Sequence, residues 1–279
     1  ANLVNVVLNY LLINGIWIFP RLEVLGAGIA TTIGNLVMFI IAFRSILDKE
    51  SLLYQSFKEP FEYSKEIVQS FIKLGKPALT EQIFIRFGFL LYARAVADLG
   101  TTAFATHQLV MNVMVISFAL GDGLSTANSA LIGQSLGAKR PDVAMAYGKI
   151  TQRIGLTIAI IFSSLIALNR RSILSLFTSD QNIIELGGPL LIILSIIILF
   201  QIVQVIVVGA LRGAGDVKFV ATLSLVSVSI VRPGLTYLFA YGLGFGLTGA
   251  WVSVLVDQML RFIISQIRFN GASWTKIKV

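Results

Sequence analysis

An acidic residue lies inside one of the most apolar regions of the chain, in the stretch GKPALTEQIFIRFG that covers residues 75–88. Glu81 stands about 14 residues into this region, which corresponds to roughly 20 Å along a helix that rises 1.5 Å per residue. An ionised carboxylate is costly to hold away from water, so at this depth it favours taking up a proton or a cation. A carboxyl group that alternates between the two is what ion-coupled antiport requires. We therefore predict that Glu81 opens onto water and is the leading candidate for binding H⁺ or Na⁺.

Two neighbours of Glu81 bear on this prediction. Arg86 follows five residues later, and because five residues turn a helix by 500°, the two side chains lie about 140° apart. Arg86 is therefore a poor partner within the same helix, and a structural ion pair with a residue of another helix stays open as the alternative for Glu81. Pro77 lies one turn before Glu81 and lacks a backbone donor, so we expect a kink that serves either gating or static packing.

A polar stripe is predicted on the following apolar segment, because six residues there are spaced by four, three, four, three and four positions and so share one helical face. Asp122 lies near the middle of this segment, where it would complement Glu81 as a second carboxylate or serve hydrogen bonding between packed helices. His107, beside the first residue of the stripe, is expected to be a hydrogen-bonded packing residue rather than a proton relay. The stripe consists of Gln108, Asn112, Val115, Ala119, Asp122 and Thr126.

Three more charged residues lie within apolar segments. Asp257 and Arg261 are four residues apart, so we expect them to neutralise each other on one face of the last long helix. Arg232 precedes Pro233 at a predicted kink, where it would satisfy freed carbonyl groups or line a cavity. We favour a structural role for Arg232, because an arginine in the cavity would repel organic cations.

The overall composition explains why these charges stand out. The chain of 279 residues is 56% hydrophobic and 13% charged, with a mean hydropathy of +0.85, whereas soluble domains are about 45–50% apolar and about 25% charged. This deviation indicates a membrane protein. The sequence contains no cysteine and one histidine, which excludes disulfides and cysteine-based or histidine-based metal clusters. No nucleophile–base pair is visible, so an enzyme is not expected.

Eight apolar segments are long enough to be predicted as membrane-spanning helices, with Pro and Gly at their ends. The sequence therefore predicts an all-α polytopic membrane protein, a helical bundle with about eight transmembrane helices. The segments cover about residues 1–19, 24–46, 67–97, 102–135, 141–168, 182–210, 217–242 and 246–268.

The placement of Lys and Arg predicts the orientation of these segments. Of the 22 Lys and Arg residues, fifteen lie in the alternate loops and the C-terminal tail that would share one side of the membrane, and three lie in loops on the other side. Cationic loops face the cytoplasm, so both chain ends are predicted to be cytoplasmic. The net charge of +8 is thus a topology signal, and no nucleic-acid partner is expected. The linker 47–66 mixes apolar and charged residues and is predicted to be amphipathic on the cytoplasmic membrane surface.

An internal similarity suggests a duplication. The stretch GAGIATTIGNLVMFIIAF from Gly26 resembles GAWVSVLVDQMLRFIISQ from Gly249, at an offset of 223 residues. On this interpretation, residues 1–46 hold the last two helices of one repeat, and residues 67–270 hold a complete repeat of six helices followed by a cytoplasmic tail, 271–279. The chain would then be a fragment that about four further helices precede.

Several motifs resemble the multidrug and toxic compound extrusion (MATE) family. They are KLGKPALTEQIFIRFGFLLYARAVADLGTTAFATHQ, SALIGQSLGAKRPD, GALRGAGD and GFGLTGAWVSVLVDQMLRF, and the resemblance covers essentially the whole chain. The resemblance implies twelve helices in two pseudo-symmetric lobes of six, of which this chain would hold the last eight. It also implies export of drugs or metabolites in exchange for H⁺ or Na⁺, with no other cofactor.

Two positions depart from the family pattern. Related transporters often carry an acidic residue on the tenth helix, about eleven residues before the LRG turn, where this chain has Gln201. Many also place the carboxylate of the seventh helix eight residues after the proline, where this chain has Ile85. Glu81 lies one turn earlier on roughly the same face. The coupling site is therefore carried over only in part, and the resemblance leaves the choice between H⁺ and Na⁺ open.

The function expected from the residues and the resemblance is an antiporter of the bacterial plasma membrane that exports amphipathic organic cations by alternating access between two lobes. Glu81 would bind the coupling ion, supported by Asp122, Asn112, Gln108 and Gln201. The expected partners are the small organic substrate, the lipid bilayer and the preceding helices of the same protein, and a monomer is expected. Two alternatives stay open: a lipid-linked precursor flippase of the same superfamily, which would have a cationic cavity, and a non-transporting membrane scaffold.

Overall fold

A computed structural model describes residues 2–16, 20–48 and 64–277, and this part of the chain is helical without any strand. The amphipathic linker predicted at 47–66 lies mostly outside the described residues. The chain divides into two compact units, and the described residues of each are mainly helical.

The first unit, Ala1–Ser64, holds a pair of helices. Helix α1 (Asn2–Asn14) and helix α2 (Glu23–Leu47) meet at Gly26, where an added Cβ would lie 2.8 Å from the backbone carbonyl of Leu12. The missing side chain lets the two backbones approach closely, as small residues do at membrane helix interfaces. Few side chains of this pair are buried, so close backbone approach rather than a broad core holds it together.

The second unit, Lys65–Val279, is a bundle of helices whose buried apolar side chains form two core clusters. A short 3₁₀ turn at Ser273–Lys276 ends the described part of this unit. Its helices are α3 (Lys65–Ala97), α4 (Thr101–Gly137), α5 (Pro141–Leu168), α6 (Arg170–Ser175), α7 (Gln181–Gly213), α8 (Val217–Val226), α9 (Arg232–Thr236) and α10 (Gly246–Asn270).

Helix α7 is the centre of this bundle. It packs against α4, α5 and α10, and its apolar side chains make up much of the buried core. Two of its glycines bring α4 close: an added Cβ on Gly209 would lie 2.6 Å from the carbonyl oxygen of Ser125, and one on Gly213 would overlap that of Ser129. Lipid tails are as apolar as leucine, so close van der Waals packing through such small residues holds membrane helices together.

The chain from Val217 to Gly242 is one continuous helical rod in which two α-helical segments alternate with two π-helical turns. π-Helical turns at Ser227–Val231 and Tyr237–Gly242 flank α9, whose second residue is Pro233. Proline has no N–H to donate, so the regular hydrogen-bond pattern cannot continue through it, and π turns are a common form of irregularity within helices. The structure thus places a π turn on each side of the kink predicted at Pro233.

The predicted all-α polytopic fold is confirmed, and each of the eight apolar segments corresponds to a helix or to the rod. Two of these elements are less apolar or shorter than a membrane span: α1 has 13 residues, and α3 carries charged residues along its length. The short helix α6 was not predicted. Within the described residues, six helices are long and apolar enough to cross a membrane: Glu23–Leu47, Thr101–Gly137, Pro141–Leu168, Gln181–Gly213, Val217–Gly242 and Gly246–Asn270.

Candidate functional site

Glu81 forms a buried cluster with residues of two other helices. Its side chain is 2% exposed, and its Oε1 accepts hydrogen bonds from Nη2 of Arg212 at 2.6 Å and from Oγ of Ser224 at 2.9 Å. Arg212 lies in the last turn of α7 and Ser224 lies on α8, so one carboxylate joins three helices. Hydrogen bonds between ionised groups are roughly twice as strong as neutral ones, which makes this cluster a firm link across the bundle.

Within this cluster the carboxylate of Glu81 is buried, whereas the guanidinium of Arg212 is partly exposed to solvent. The side chain of Arg212 is 43% exposed, against 2% for Glu81. The predicted opening of Glu81 onto water is therefore not what this structure shows; the alternative left open, an ion pair with another helix, is present instead. The sequence did not identify the partner of Glu81, which is Arg212 in the last turn of α7. Because water can solvate its guanidinium, the pair is one that a movement of the helices is able to break.

A second buried carboxylate, Asp257 on α10, is enclosed by cations. Arg232 binds it through two hydrogen bonds, one with Nε 3.0 Å from Oδ2, and Ser227 donates to Oδ1. Nε of Arg261 lies 3.5 Å from Oδ2. All four residues are buried. The predicted pairing of Asp257 with Arg261 is present, but Arg232 is the closer partner, and its guanidinium binds this carboxylate instead of freed carbonyl groups or a cavity.

Both clusters combine acidic and basic side chains from different helices of the bundle. Together the clusters contain two carboxylates and three arginines, so they carry one excess positive charge inside the bundle. A buried charge without a counter-charge is strongly unfavourable. The excess lies at Asp257, where two buried arginines share one carboxylate, because Glu81 and Arg212 are paired one to one.

The polar stripe of α4 faces away from α7. The opposite face of α4 is buried, whereas all six stripe residues are exposed. Asp122 lies near the middle of this membrane-length helix and forms no hydrogen bond or ion pair with any residue that the structure describes. Its carboxylate is therefore free to bind H⁺, Na⁺ or a cationic ligand.

The other predicted site residues do not join Glu81. Gln201 on α7 is fully buried, and neither amide atom has a partner in the described part of the chain. Gln108 and Asn112 are exposed on α4, and Arg86 is exposed on α3 without an ion pair to any described residue. The structure thus distributes the predicted single site over three places: the buried pair on α3 and α7, the exposed stripe on α4, and the interior of α7.

His107 packs among aromatic rings, and Pro77 lies inside an uninterrupted helix. His107 is 3% exposed and lies among the rings of Tyr92, Phe104 and Trp251, with centroid separations of 5.3, 6.3 and 5.6 Å. Its Nδ1 has no partner among the described residues, so the expected hydrogen bond is missing there. Helix α3 continues through Pro77 without interruption.

Comparison with known proteins relates the chain to one family of transporters. The family model described as MatE matches residues 77–238, which include Glu81, the α4 stripe and Arg232. The uncharacterized transporter YisQ of Bacillus subtilis is 30% identical over 273 residues, covering 98% of this chain and 60% of that protein. The probable multidrug resistance protein NorM of Bacillus cereus is 32% identical over 257 residues, covering 91% of this chain and 56% of NorM. The chain therefore spans little more than half the length of these relatives.

Solved structures share the fold at low sequence identity. An outward-facing multidrug resistance MATE family transporter of the MOP superfamily has a TM-score of 0.86 and 18% identity, covering 97% of this chain and 60% of that one. A MOP superfamily transporter from Pyrococcus furiosus, reported to have a binding pocket of reverse polarity, has a TM-score of 0.87 and 18% identity, covering 99% and 61%. At such identities the likeness shows the fold alone.

Proposed function

The chain belongs to the MatE family, and on this premise we propose that the protein is a secondary active antiporter that exports amphipathic organic cations in exchange for H⁺ or Na⁺. Relatives in Bacillus cereus and Thermotoga maritima are named as probable multidrug resistance proteins. Because this chain spans about 60% of such relatives, the proposal concerns the activity of the whole protein, to which the helices described above contribute.

The observation that carries the proposal is the exposed polar stripe of α4, which includes Asp122 near the middle of the helix. A carboxylate on a membrane-length helix is costly against lipid, so such residues face a water-filled cavity. Gln108 and Asn112 supply hydrogen-bonding groups on the same face, while Val115 and Ala119 leave apolar surface between Asn112 and Asp122. A mostly apolar wall with a few placed polar groups is what an amphipathic ligand requires.

Coupling follows if Asp122 holds either the ion or the substrate, but not both. A proton or Na⁺ on its carboxylate removes the negative charge that attracts an organic cation, and a bound cation excludes the ion in turn. This mutually exclusive binding at one carboxylate couples the flux of the ion to that of the substrate. Its geometry leads us to place the exchanging role on Asp122 and to propose Glu81, the leading candidate from sequence, as a conformational link.

The pair of Glu81 and Arg212 joins α3 to α7 and α8, so it opens only when these helices separate. Alternating access requires two arrangements of the helices with different contacts. We propose that the pair stabilises one of them and that the half-exposed guanidinium of Arg212 is rehydrated in the other.

The proposed location is the bacterial plasma membrane, with the basic loops in the cytoplasm. This orientation places the end of α7 and the start of α8 on the cytoplasmic side, together with the start of α3. The C-terminal tail lies on the same side.

Reconstituted transport tests the proposal. The full-length protein in proteoliposomes should export a fluorescent organic cation when an opposing gradient of H⁺ or Na⁺ is imposed. Asp122→Asn keeps the size of the side chain but removes its charge, and losing a charged hydrogen-bonding partner worth about 1.5–3 kcal/mol should lower gradient-driven transport roughly ten- to hundredfold. Glu185→Gln, at an exposed acid near the other end of α7, is the matched control and should transport normally.

Two results would contradict these assignments in different ways. Wild-type rates for Asp122→Asn would remove Asp122 from the exchange while leaving antiport intact. Failure of the wild-type protein to transport under either gradient would contradict antiport itself.

A second candidate function, export of a lipid-linked precursor, is favoured by one observation. Arg86 is exposed on α3 without an ion pair to any described residue, and arginine is well suited to bind phosphate groups. The buried arginines 232 and 261 instead enclose Asp257. If the wild-type protein transported a pyrophosphate-linked isoprenoid but no organic cation, and Arg86→Gln abolished that transport, the second candidate would replace the first.

A further inference from the structure

A groove on the surface of the second unit runs between α3 and α8. It encloses about 530 Å³, and the described residues that line it all belong to these two helices. On each helix the lining residues recur at intervals of three or four, as from Lys73 to Thr80 and from Lys218 to Leu225, so each helix presents one face to the groove. The groove is therefore a long furrow between two helices rather than a gap at a loop.

One end of the groove is strongly basic. Lys73 and Lys76 lie within the first 12 residues of α3, and Lys218 is the second residue of α8. All three side chains are exposed, none forms an ion pair with a described residue, and no described lining residue is acidic. Three ammonium groups without counter-charges around one small volume provide a strong attraction for an anion.

The other end of the groove is mostly apolar, with Thr80 and Thr222 as its polar residues. Pro77 lies just beyond the two lysines of α3, and Ala221 and Leu225 follow Lys218 on α8. Leu225 lies seven positions after Lys218, which is roughly 10 Å along a helix. A ligand that fills the groove therefore needs a negatively charged head and an apolar tail of at least this length.

We propose that this lysine groove binds an anionic phospholipid, with the phosphate at Lys73, Lys76 and Lys218 and an acyl chain along Pro77 and Leu225. Basic pockets between membrane helices recognise anionic headgroups in this way. Inorganic phosphate would use only the basic end and leave the apolar end uncovered. Assignment to the cytoplasmic leaflet rests on the orientation proposed above, whereas the site itself does not depend on transport.

The bound lipid would also act on the Glu81 cluster, because the groove lies on the outer side of the same helix contact. Thr80 adjoins Glu81, and Thr222 and Leu225 flank Ser224, whose hydroxyl donates to Glu81. A lipid that spans α3 and α8 holds the two helices together at this hydrogen bond. Anionic lipid should therefore favour the arrangement in which Glu81 is buried.

Lipid binding to the purified full-length protein tests the proposal. The protein in neutral detergent is titrated with phosphatidylglycerol or phosphatidylcholine, and bound lipid is counted by native mass spectrometry. The wild-type protein should bind phosphatidylglycerol selectively. The combined variant Lys73→Gln, Lys76→Gln and Lys218→Gln should weaken that binding about a hundredfold, because each lysine near an anionic headgroup contributes about fivefold.

Two further variants separate the groove from charge in general. Thr222→Trp fills the groove from an exposed position without changing any charge, so it should weaken phosphatidylglycerol binding at least about tenfold by blocking the acyl chain. The combined variant Arg44→Gln, Lys65→Gln and Lys139→Gln removes the same charge outside the groove and should bind as the wild type does.

Three results would overturn the proposal. Selective binding that survives both groove variants would place the lipid elsewhere. Displacement of the lipid by equal concentrations of inorganic phosphate would make the groove a site for free anions. Displacement by a synthetic peptide of residues 47–66 would assign the groove to that segment of the chain.

Discussion

The carboxylates of Glu81 and Asp257 are buried to the same degree, but their cations are not. Asp257 is held by Arg232 and Arg261, both of which are buried with it. Glu81 is held by Arg212, whose side chain is 43% exposed. Removing both charges of a pair from water costs several kcal/mol per ion, and opening a fully buried pair exposes that whole cost. The ion pairs of Asp257 should therefore stay intact, whereas the Glu81 pair can separate because water reaches the guanidinium of Arg212.

This comparison shows that depth in the membrane does not by itself identify an exchanging carboxylate. The exposure of the partner decides whether the acid can be released, and Asp122 is the limiting case because it has no partner among the described residues. The three acids thus form a series: Asp257 has buried partners, Glu81 has a partly exposed partner, and Asp122 has no partner among the described residues. Their substitutions should affect stability in the same order.

The largest effect on stability is expected at Asp257. Asp257→Asn leaves Arg232 and Arg261 buried without a counter-charge, which should lower the free energy of unfolding by about 3–5 kcal/mol. Unfolding of the purified protein in mixed micelles with increasing dodecyl sulfate measures this change. Glu185→Gln is the control and should lie within about 0.5 kcal/mol of the wild type.

A rescue experiment sharpens that prediction. Replacing Arg232 as well leaves one uncompensated buried arginine, Arg261, instead of two, so Asp257→Asn combined with Arg232→Gln should be more stable than Asp257→Asn alone. If the double variant were less stable than the single variant, the loss would come from packing or hydrogen bonding rather than from buried charge.

An intermediate effect is expected at Glu81. Glu81→Gln keeps the size of the side chain and can still accept a hydrogen bond from Ser224, while water solvates the released guanidinium of Arg212. The expected loss is roughly 1–2 kcal/mol, below that of a fully buried pair. The same unfolding assay applies, with Gln82→Glu as a control for charge on the exposed face of α3. A loss as large as that of Asp257→Asn would mean that the Glu81 pair is as closed as the Asp257 cluster, which would exclude its release during transport.

The helices themselves could be predicted from the sequence because each is a long apolar run with a clear end. The segment predicted at 141–168 is helix Pro141–Leu168, and the one predicted at 217–242 is the rod Val217–Gly242. Helix α6 was missed because its six residues, RRSILS, carry too short and too charged a pattern to separate from a loop. Periodicity also predicted that the six α4 residues share one face, which is the exposed face.

The partners of the buried acids could not be predicted, because helical periodicity gives the face of a residue but not the neighbouring helix. Arg212 is 131 positions after Glu81 in the chain, and its guanidinium reaches the carboxylate from the end of a different helix. Arg232 is 25 positions before Asp257, directly after the π turn at Ser227–Val231, and it binds the carboxylate from a different helix. Only a signal that couples distant positions, such as paired variation among relatives, would have joined them.

The smallest effect is expected at the exposed pair of Arg94 and Asp98, which sets the scale for the other two. These side chains are 74% and 49% exposed and lie four residues apart at the end of α3, with 3.2 Å between Nε and Oδ1. A double-mutant cycle with Arg94→Gln and Asp98→Asn should give a coupling of about 0.3–0.5 kcal/mol, because exposed ion pairs exchange one hydrated state for another. Raising the salt concentration to about 1 M shortens the screening length to roughly 3 Å and should remove this coupling, but should leave most of that between Asp257 and Arg232.

The corresponding double-mutant cycle for Glu81 and Arg212 should give a coupling between those of the other two pairs in size and in salt dependence. If the coupling between Glu81 and Arg212 instead equalled that between Arg94 and Asp98, burial of the Glu81 carboxylate would contribute nothing to the strength of its pair. The Glu81 and Asp257 pairs would then differ in coupling because of their partners and not because of the burial of the acid.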